Sequence, residues 1–265
     1  MSEQKRQFFG TDGIRAKANA FPLLPDFVVQ LGQSAADAFL ARRTDTRNWP
    51  IVIIGKDTRQ SCDMLESAIA AGLTSRGIDV RLAGVVPTPA VAMLTKETGA
   101  LFGVVISASH NPFDDNGIKF FCADGYKLDD ALESEIERGI LHPPPPPEGG
   151  PVGRISPLEG AAERYIDFVC RSVGEDRHIL GGLRIALDAA NGAGHHTSEA
   201  ILRALGATVL PMHHHPSGIN INLDCGCTHP AVIESLVKQT GAHVGVSHDG
   251  DADRVLLCDE TGSSN

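Results

Sequence analysis

A small nucleophile and a titratable ring stand side by side in this chain, Ser109 and His110 within Ser107-Ala-Ser-His-Asn-Pro112. The apolar run 101–106 before them reads as a buried strand. The polar hexapeptide therefore falls on a strand-end loop, where α/β proteins place their chemistry. Pro112 stiffens that loop. Alone, the pair suits a hydrolase nucleophile as well as a serine that carries a group. A second constellation, His248-Asp-Gly-Asp-Ala-Asp-Arg254, follows the apolar run 242–247. Asp249, Asp251 and Asp253 are three hard oxygen donors suited to a divalent cation, with Mg²⁺ the default beside phosphate. An acidic solvated turn is the plainer alternative, yet three carboxylates this close repel one another.

Two weaker signals lie upstream. Phe9-Gly-Thr-Asp-Gly-Ile-Arg15 reads as a glycine turn whose arginine can face an anion. Gly55-Lys-Asp-Thr-Arg59 puts Lys56 and Arg59 after a strand, where they either hold phosphate or pair with carboxylates. The group His213, His214, His215, Cys225, Cys227 and His229 has the residue types of a zinc site. Cys-x-Cys is not the usual structural spacing, however, and an exposed or interface loop is the better reading. Asp188-Ala-Ala-Asn-Gly192 opens a strand-to-helix turn that could suit an anion, and a purely structural turn is the better reading.

The elements that must position these residues alternate. Helices are expected at 26–42, 62–76, 89–98 and 128–140, with strands at 51–55, 79–83, 101–106 and 117–122. Five prolines in 142–147, then glycines to 153, read as a linker. Beyond it, helices at 157–170, 194–205 and 230–239 interleave with strands at 183–188, 208–212, 242–247 and 255–259. This predicts two consecutive three-layer α/β/α domains with mostly parallel sheets, at 1–150 and 156–258, with 259–265 opening a third.

Bulk properties exclude several classes. The chain has 265 residues, 42% hydrophobic and 21% charged, with a formal charge of −10. That argues against nonspecific nucleic-acid binding but leaves room for an anionic substrate in a local basic pocket. No apolar run approaches a membrane span, and the polar start at 1–7 lacks a signal peptide. Six scattered cysteines suit reduced thiols in a cytoplasmic protein.

Five motifs occur in order: the segments 9–15, 55–59, 106–112 and 249–254, together with Asp115-Asn-Gly-Ile-Lys-Phe-Phe121. Together they resemble the α-D-phosphohexomutases, most closely the bacterial phosphoglucosamine mutase branch. The resemblance implies that Ser109 carries a phosphoryl group and that Asp249, Asp251 and Asp253 bind one Mg²⁺, with an oxygen of the phosphorylated Ser109 completing the site. It implies acid/base or phosphate-contacting roles for Lys119 and His110, and flanking positions for Arg15 and Arg254. Thr11, Asp12, Lys56, Arg59 and Asn111 become substrate or phosphate contacts. A basic role for Lys119 needs a lowered pKa, expected from neighbouring cations.

The implied reaction interconverts glucosamine 6-phosphate and glucosamine 1-phosphate through a 1,6-bisphosphate, which also serves as primer. Phosphomannomutase or phosphoglucomutase activity is the alternative, as is a non-catalytic two-domain binding module. The phosphosugar is the expected partner, and a homodimer is left open. One departure is Ala16, where the family has glycine in what reads as a turn. The family has four domains, and this chain holds the sequence of the first two. Weak or absent turnover is therefore expected.

Overall fold

A computed structural model describes residues 7–45, 47–145, 148–176 and 178–264. Residues 1–6, two prolines of the expected linker and Asn265 lie outside the described residues.

The first half is built on a six-stranded sheet. Its strands are β1 (Ile14–Lys17), β2 (Ile51–Lys56), β3 (Asp79–Val85), β4 (Phe102–Ile106), β5 (Asp115–Cys122) and β6 (Ile155–Pro157), ordered β1-β5-β4-β2-β3-β6. The run β4-β2-β3-β6 is parallel, whereas β5 is antiparallel to both β4 and β1. Alternation along the strands sorts the core. Val52, Ile54, Val104, Ile106 and Phe120 face one helical layer, while Ile53, Val105 and Phe121 face the other. The first layer holds α1 (Pro25–Arg42), α2 (Cys62–Thr74) and α4 (Asp130–Leu141); the second holds α3 (Thr88–Thr98) and part of α5 (Ala161–Ser172). α1 and α2 approach closely at glycines: a Cβ on Gly72 would sit 2.3 Å from the Val29 carbonyl oxygen, and one on Gly32 2.7 Å from that of Ile69.

The second half has four strands, β7 (Arg184–Asp188), β8 (Thr208–Met212), β9 (Val244–His248) and β10 (Val255–Cys258), ordered β10-β9-β7-β8. β8, β7 and β9 are parallel and β10 is antiparallel. α7 (Pro230–Thr240) covers one face through Ile233 and Val237, and α6 (Thr197–Ala204) the other through Leu202. The architecture is two three-layer α/β/α units with mostly parallel sheets.

Three features differ from the sequence reading. Arg15 and Ala16 belong to strand β1, with Ala16 paired to Asn116, so no glycine-type turn is needed there. A boundary at 156 would divide β6, which pairs with β3 in the first sheet. The expected helix 157–170 starts only at Ala161, and Ala161 is part of the first half's core while α5 also packs on α6.

Candidate active site

Parallel strands deliver their loops to one edge, and the site gathers at the carboxyl ends of β2, β4 and β9. Ser109 follows β4. It is buried and holds a left-handed φ of 52°, unusual for a residue with a Cβ. Its amide donates to Ser107 Oγ at 2.9 Å, and Ser107 Oγ donates to Asp57 Oδ2 at 2.7 Å. The Ser109 hydroxyl donates to Asp249 Oδ2 at 2.5 Å and accepts from Arg254 Nη2 at 2.5 Å. The serine of the first half and the acidic loop of the second therefore meet directly.

Arg59 is the fastener of the serine loop. Nε donates to Asp57 Oδ2, Nη1 to the carbonyls of Pro112 and Asp115, and Nη2 to those of Ser109 and Asn111. A guanidinium has five N–H hydrogens, and all five are taken. The expectation that Arg59 binds phosphate is corrected on this ground. Lys56 likewise pairs with Asp63 at 2.7 Å and Glu66 at 2.6 Å. The Asn111 amide bonds Asp115 at 2.9 Å and so shapes the loop.

Lys119, on β5, is buried among acids. Its Nζ lies 2.9 Å from Asp251, 3.0 Å from Asp12 and 3.7 Å from Asp253. Burial works against its charge, but Asp251 and Asp12 prevail and its pKa is raised. Its immediate neighbours are carboxylates rather than the cations expected to lower its pKa, which is why the direction is upward. His110 moves the other way: burial, then Arg254 and Arg15, push it below the usual imidazole range. Its Nδ1 contacts Arg254 Nη2 and lies 3.5 Å from Ser109 Oγ. Asp12 also binds Arg15 at 2.5 Å and Lys127, and Lys127 and Lys119 hold its pKa down against the opposing effect of burial. Arg15 Nη1 reaches the Ala108 carbonyl at 3.5 Å, beside the serine. Thr11 is exposed, on the rim of a cavity of about 230 Å³ that Asp12 and Lys119 also line.

The acidic loop has the donor set of a cation site. Asp249, Asp251 and Asp253 offer oxygens within 4.8 Å of one another. Asp253 is pushed up to about 6, by burial and then by repulsion from Asp251 and Asp249. Asp251 Oδ1 is buried without a hydrogen-bond partner, whereas Oδ2 takes Thr88 Oγ1 at 2.7 Å and Lys119. Crowded carboxylates and an orphaned oxygen fit a hard divalent ion. Of the discounted soft-ligand group, His213 and Cys225 come together with Asp188 within 4.8 Å. Asp188 is already held there by His213 at 3.0 Å and by the amides of Ala190 and Gly226, so it ties β7 to two loops.

Sequence reading missed three contributors. Thr88 reaches the acidic loop twice, through Oγ1 and through its amide to the Asp251 carbonyl at 3.0 Å. Asn222 donates to the carbonyls of Ser109 and Asn111 at 2.9 and 3.0 Å. Thr58 Oγ1 donates to the Asn191 carbonyl at 2.6 Å. Thr58 lay within a recognised motif; Thr88 and Asn222 sit in segments whose composition marks nothing.

A serine joined to a metal-type acidic loop across two α/β/α units is the organisation of the phosphohexomutase class. Profiles of the phosphoglucomutase/phosphomannomutase α/β/α domains I and II match residues 6–143 and 163–262. The chain belongs to that family. It is 49% identical over 260 residues to the phosphoglucosamine mutase of Allorhizobium ampelinum, a match covering 97% of this chain and 57% of that protein. The Brucella ovis phosphoglucosamine mutase is also 49% identical, over 261 residues, with 97% and 56% covered. The chain thus spans little more than half the length of these relatives. Two solved structures share the fold. A phosphoglucomutase/phosphomannomutase family protein from Burkholderia thailandensis has a TM-score of 0.80 at 24% identity, covering 95% of this chain and 54% of that one. Paramecium parafusin, a phosphoglucomutase in an open form, has a TM-score of 0.73 at 17% identity, covering 95% and 52%. Among the described residues no helix is long and apolar enough to cross a membrane.

Proposed function

We propose that this chain carries the phosphoserine and metal-binding part of a phosphoglucosamine mutase. The reaction would interconvert glucosamine 6-phosphate and glucosamine 1-phosphate through a 1,6-bisphosphate in a cytoplasmic amino-sugar pathway. The observation that carries this reading is the Ser109 hydroxyl, held between Asp249 and Arg254 beside a buried, charged Lys119.

In the first half-reaction a sugar hydroxyl oxygen attacks the phosphorus on Ser109: the new oxygen–phosphorus bond forms as the bond to Ser109 Oγ breaks, and the hydroxyl proton leaves to a base. In the second, the freed Ser109 Oγ attacks the other phosphorus of the 1,6-bisphosphate, the bond from that phosphorus to the sugar oxygen breaks, and the proton held by the base returns to that oxygen. Neutral His110 is suited to take that proton, since its ring is held below the usual imidazole range. Arg254 and protonated Lys119 face the charge spread over the phosphoryl oxygens, which is the main demand of phosphoryl transfer. Asp249, Asp251 and Asp253, with an oxygen on Ser109, would hold Mg²⁺, which when bound neutralises phosphoryl charge. The Ser109 loop is preset, because Arg59 and Asn222 already saturate its carbonyls.

Incubation with glucosamine 1,6-bisphosphate and Mg²⁺, followed by intact-mass analysis, tests the reading. One phosphate on the wild-type chain and none on Ser109→Ala is expected. No uptake together with no Mg²⁺ binding would favour a non-catalytic module. A coupled assay with glucose 6-phosphate, mannose 6-phosphate and glucosamine 6-phosphate separates the sugar alternatives, and preference for either hexose would reject the amino-sugar assignment.

A further inference from the structure

The loop that presents Ser109 is gripped from both halves of the molecule by two nitrogens of the same kind. Arg59 Nη2 donates to the Ser109 carbonyl at 2.9 Å and to the Asn111 carbonyl at 2.9 Å. Asn222 Nδ2, from the second half, donates to the same two oxygens at 2.9 and 3.0 Å. Each nitrogen carries two hydrogens and each carbonyl oxygen has two lone pairs. Four hydrogens therefore meet four lone pairs, and both carbonyls are fully used. Two carbonyls facing the Asn222 side chain also fix its amide orientation, since the opposite flip would set oxygen against oxygen.

Asn222 is itself held rigidly. It is buried, has a φ of 59°, and donates its own amide to the Ala190 carbonyl at 3.0 Å. The acidic loop is moulded around the contact: a Cβ on Gly250 would lie 2.6 Å from the Ser109 carbonyl oxygen and 2.8 Å from Asn222 Nδ2. Arg59 can hold the loop to its own sheet, but among the described residues only Asn222 hydrogen-bonds the loop's backbone to the half that carries Asp249. Ser109 Oγ must meet Asp249 and Arg254 from a left-handed backbone that the chain does not favour.

The geometry points to Asn222 as a positioning residue. It registers the serine loop against the acidic loop, so that the Ser109 hydroxyl is correctly aimed only when the two halves are docked. The inference rests on Ser109 being the phosphoryl carrier for its effect on rate, but not for its effect on the loop.

The test uses Asn222→Asp, which keeps shape while turning an oxygen toward the carbonyls, and Asn222→Ala as a second variant. Both are checked for folding by circular dichroism. Two readouts are taken on the whole chain with Mg²⁺: the rate and half-saturating concentration of phosphate uptake from glucosamine 1,6-bisphosphate, and amide exchange over 107–113 compared with α1. A misplacement of about 1 Å at reacting atoms costs about 10²-fold in rate. The expected result is a fall of that order with little change in half-saturation, and faster exchange at 107–113 with α1 unchanged. Wild-type rates and wild-type protection in both variants would overturn the inference. So would a uniform rise in exchange, which marks general destabilisation. If the wild-type chain takes up no phosphate, the mutase reading fails and the exchange comparison alone decides: selective loosening of 107–113 upholds the clamp, and its absence removes it.

Discussion

Replacing Arg59 should cost several kcal/mol of stability, because it removes one partner of a buried ion pair. Its side chain and that of Asp57 are both fully buried, 2.9 Å apart. Arg59→Ala would leave a buried carboxylate without its counter-ion, a loss of about 3–5 kcal/mol. For a chain of this size that lowers Tm by about 6–20 °C, at roughly 2–4 °C per kcal/mol. Arg59→Lys separates charge from shape. An ammonium has three hydrogens for the five acceptors that Arg59 serves, so at least two bonds are lost. At about 1.5 kcal/mol for each charged bond, the penalty is about 3 kcal/mol although the charge remains. Urea titration followed by circular dichroism, with thermal melts alongside, measures both variants. An Arg59→Lys protein within about 0.5 kcal/mol of wild type, the range of an ordinary surface change, would refute the five-point bracket.

Mg²⁺ at 100 times its Kd should stabilise the chain by about 2.7 kcal/mol, seen as a raised Tm that chelator reverses; the same rise in Asp249→Asn would contradict the metal assignment. Burial pushes the Cys225 thiol up to about 12, ahead of repulsion from Asp188 and Asp224. Its reactive thiolate appears only as pH rises toward that value, so iodoacetamide at pH 8 should leave Cys225 unmodified in the folded chain and label it after unfolding, as read by peptide mass spectrometry. Lys56→Met should leave phosphate uptake on Ser109 at the wild-type rate, because Lys56 serves Asp63 and Glu66; a tenfold loss would return it to the phosphate site.

Much of this site is legible in one dimension because its chemistry is concentrated in short motifs. Ser109, Asp249, Asp251, Asp253 and Arg254 stand on strand-end loops, and strand ends are readable from apolar runs of buried parallel strands. Charge environment is less readable. Lys119 was expected among cations, but β5 runs antiparallel beside β1 and carries it to Asp12 and Asp251. That neighbourhood depends on sheet order, which residue patterns do not state. β1 was hidden because four residues with two glycines upstream look like a turn until β5 pairs with them. Arg59 shows a further limit: phosphate and a ring of carbonyls ask the same of an arginine, and only the acceptors found around it distinguish them.

The contacts that define the site are long in sequence: 113 residues separate Asn222 from Ser109, 132 separate Lys119 from Asp251, and 163 separate Thr88 from Asp251. Contacts of such separation are slow to find and come late in folding. During synthesis the first sheet can close well before the acidic loop is made, since domains generally fold as units from the N-terminal side. A nascent chain that has finished the first sheet, through β6, therefore displays a serine loop held by Arg59 with neither Asp249 nor Asn222 to meet it. The contacts that join the serine loop to the acidic loop are thus completed in one step, when the second half docks, rather than accumulating along the growing chain.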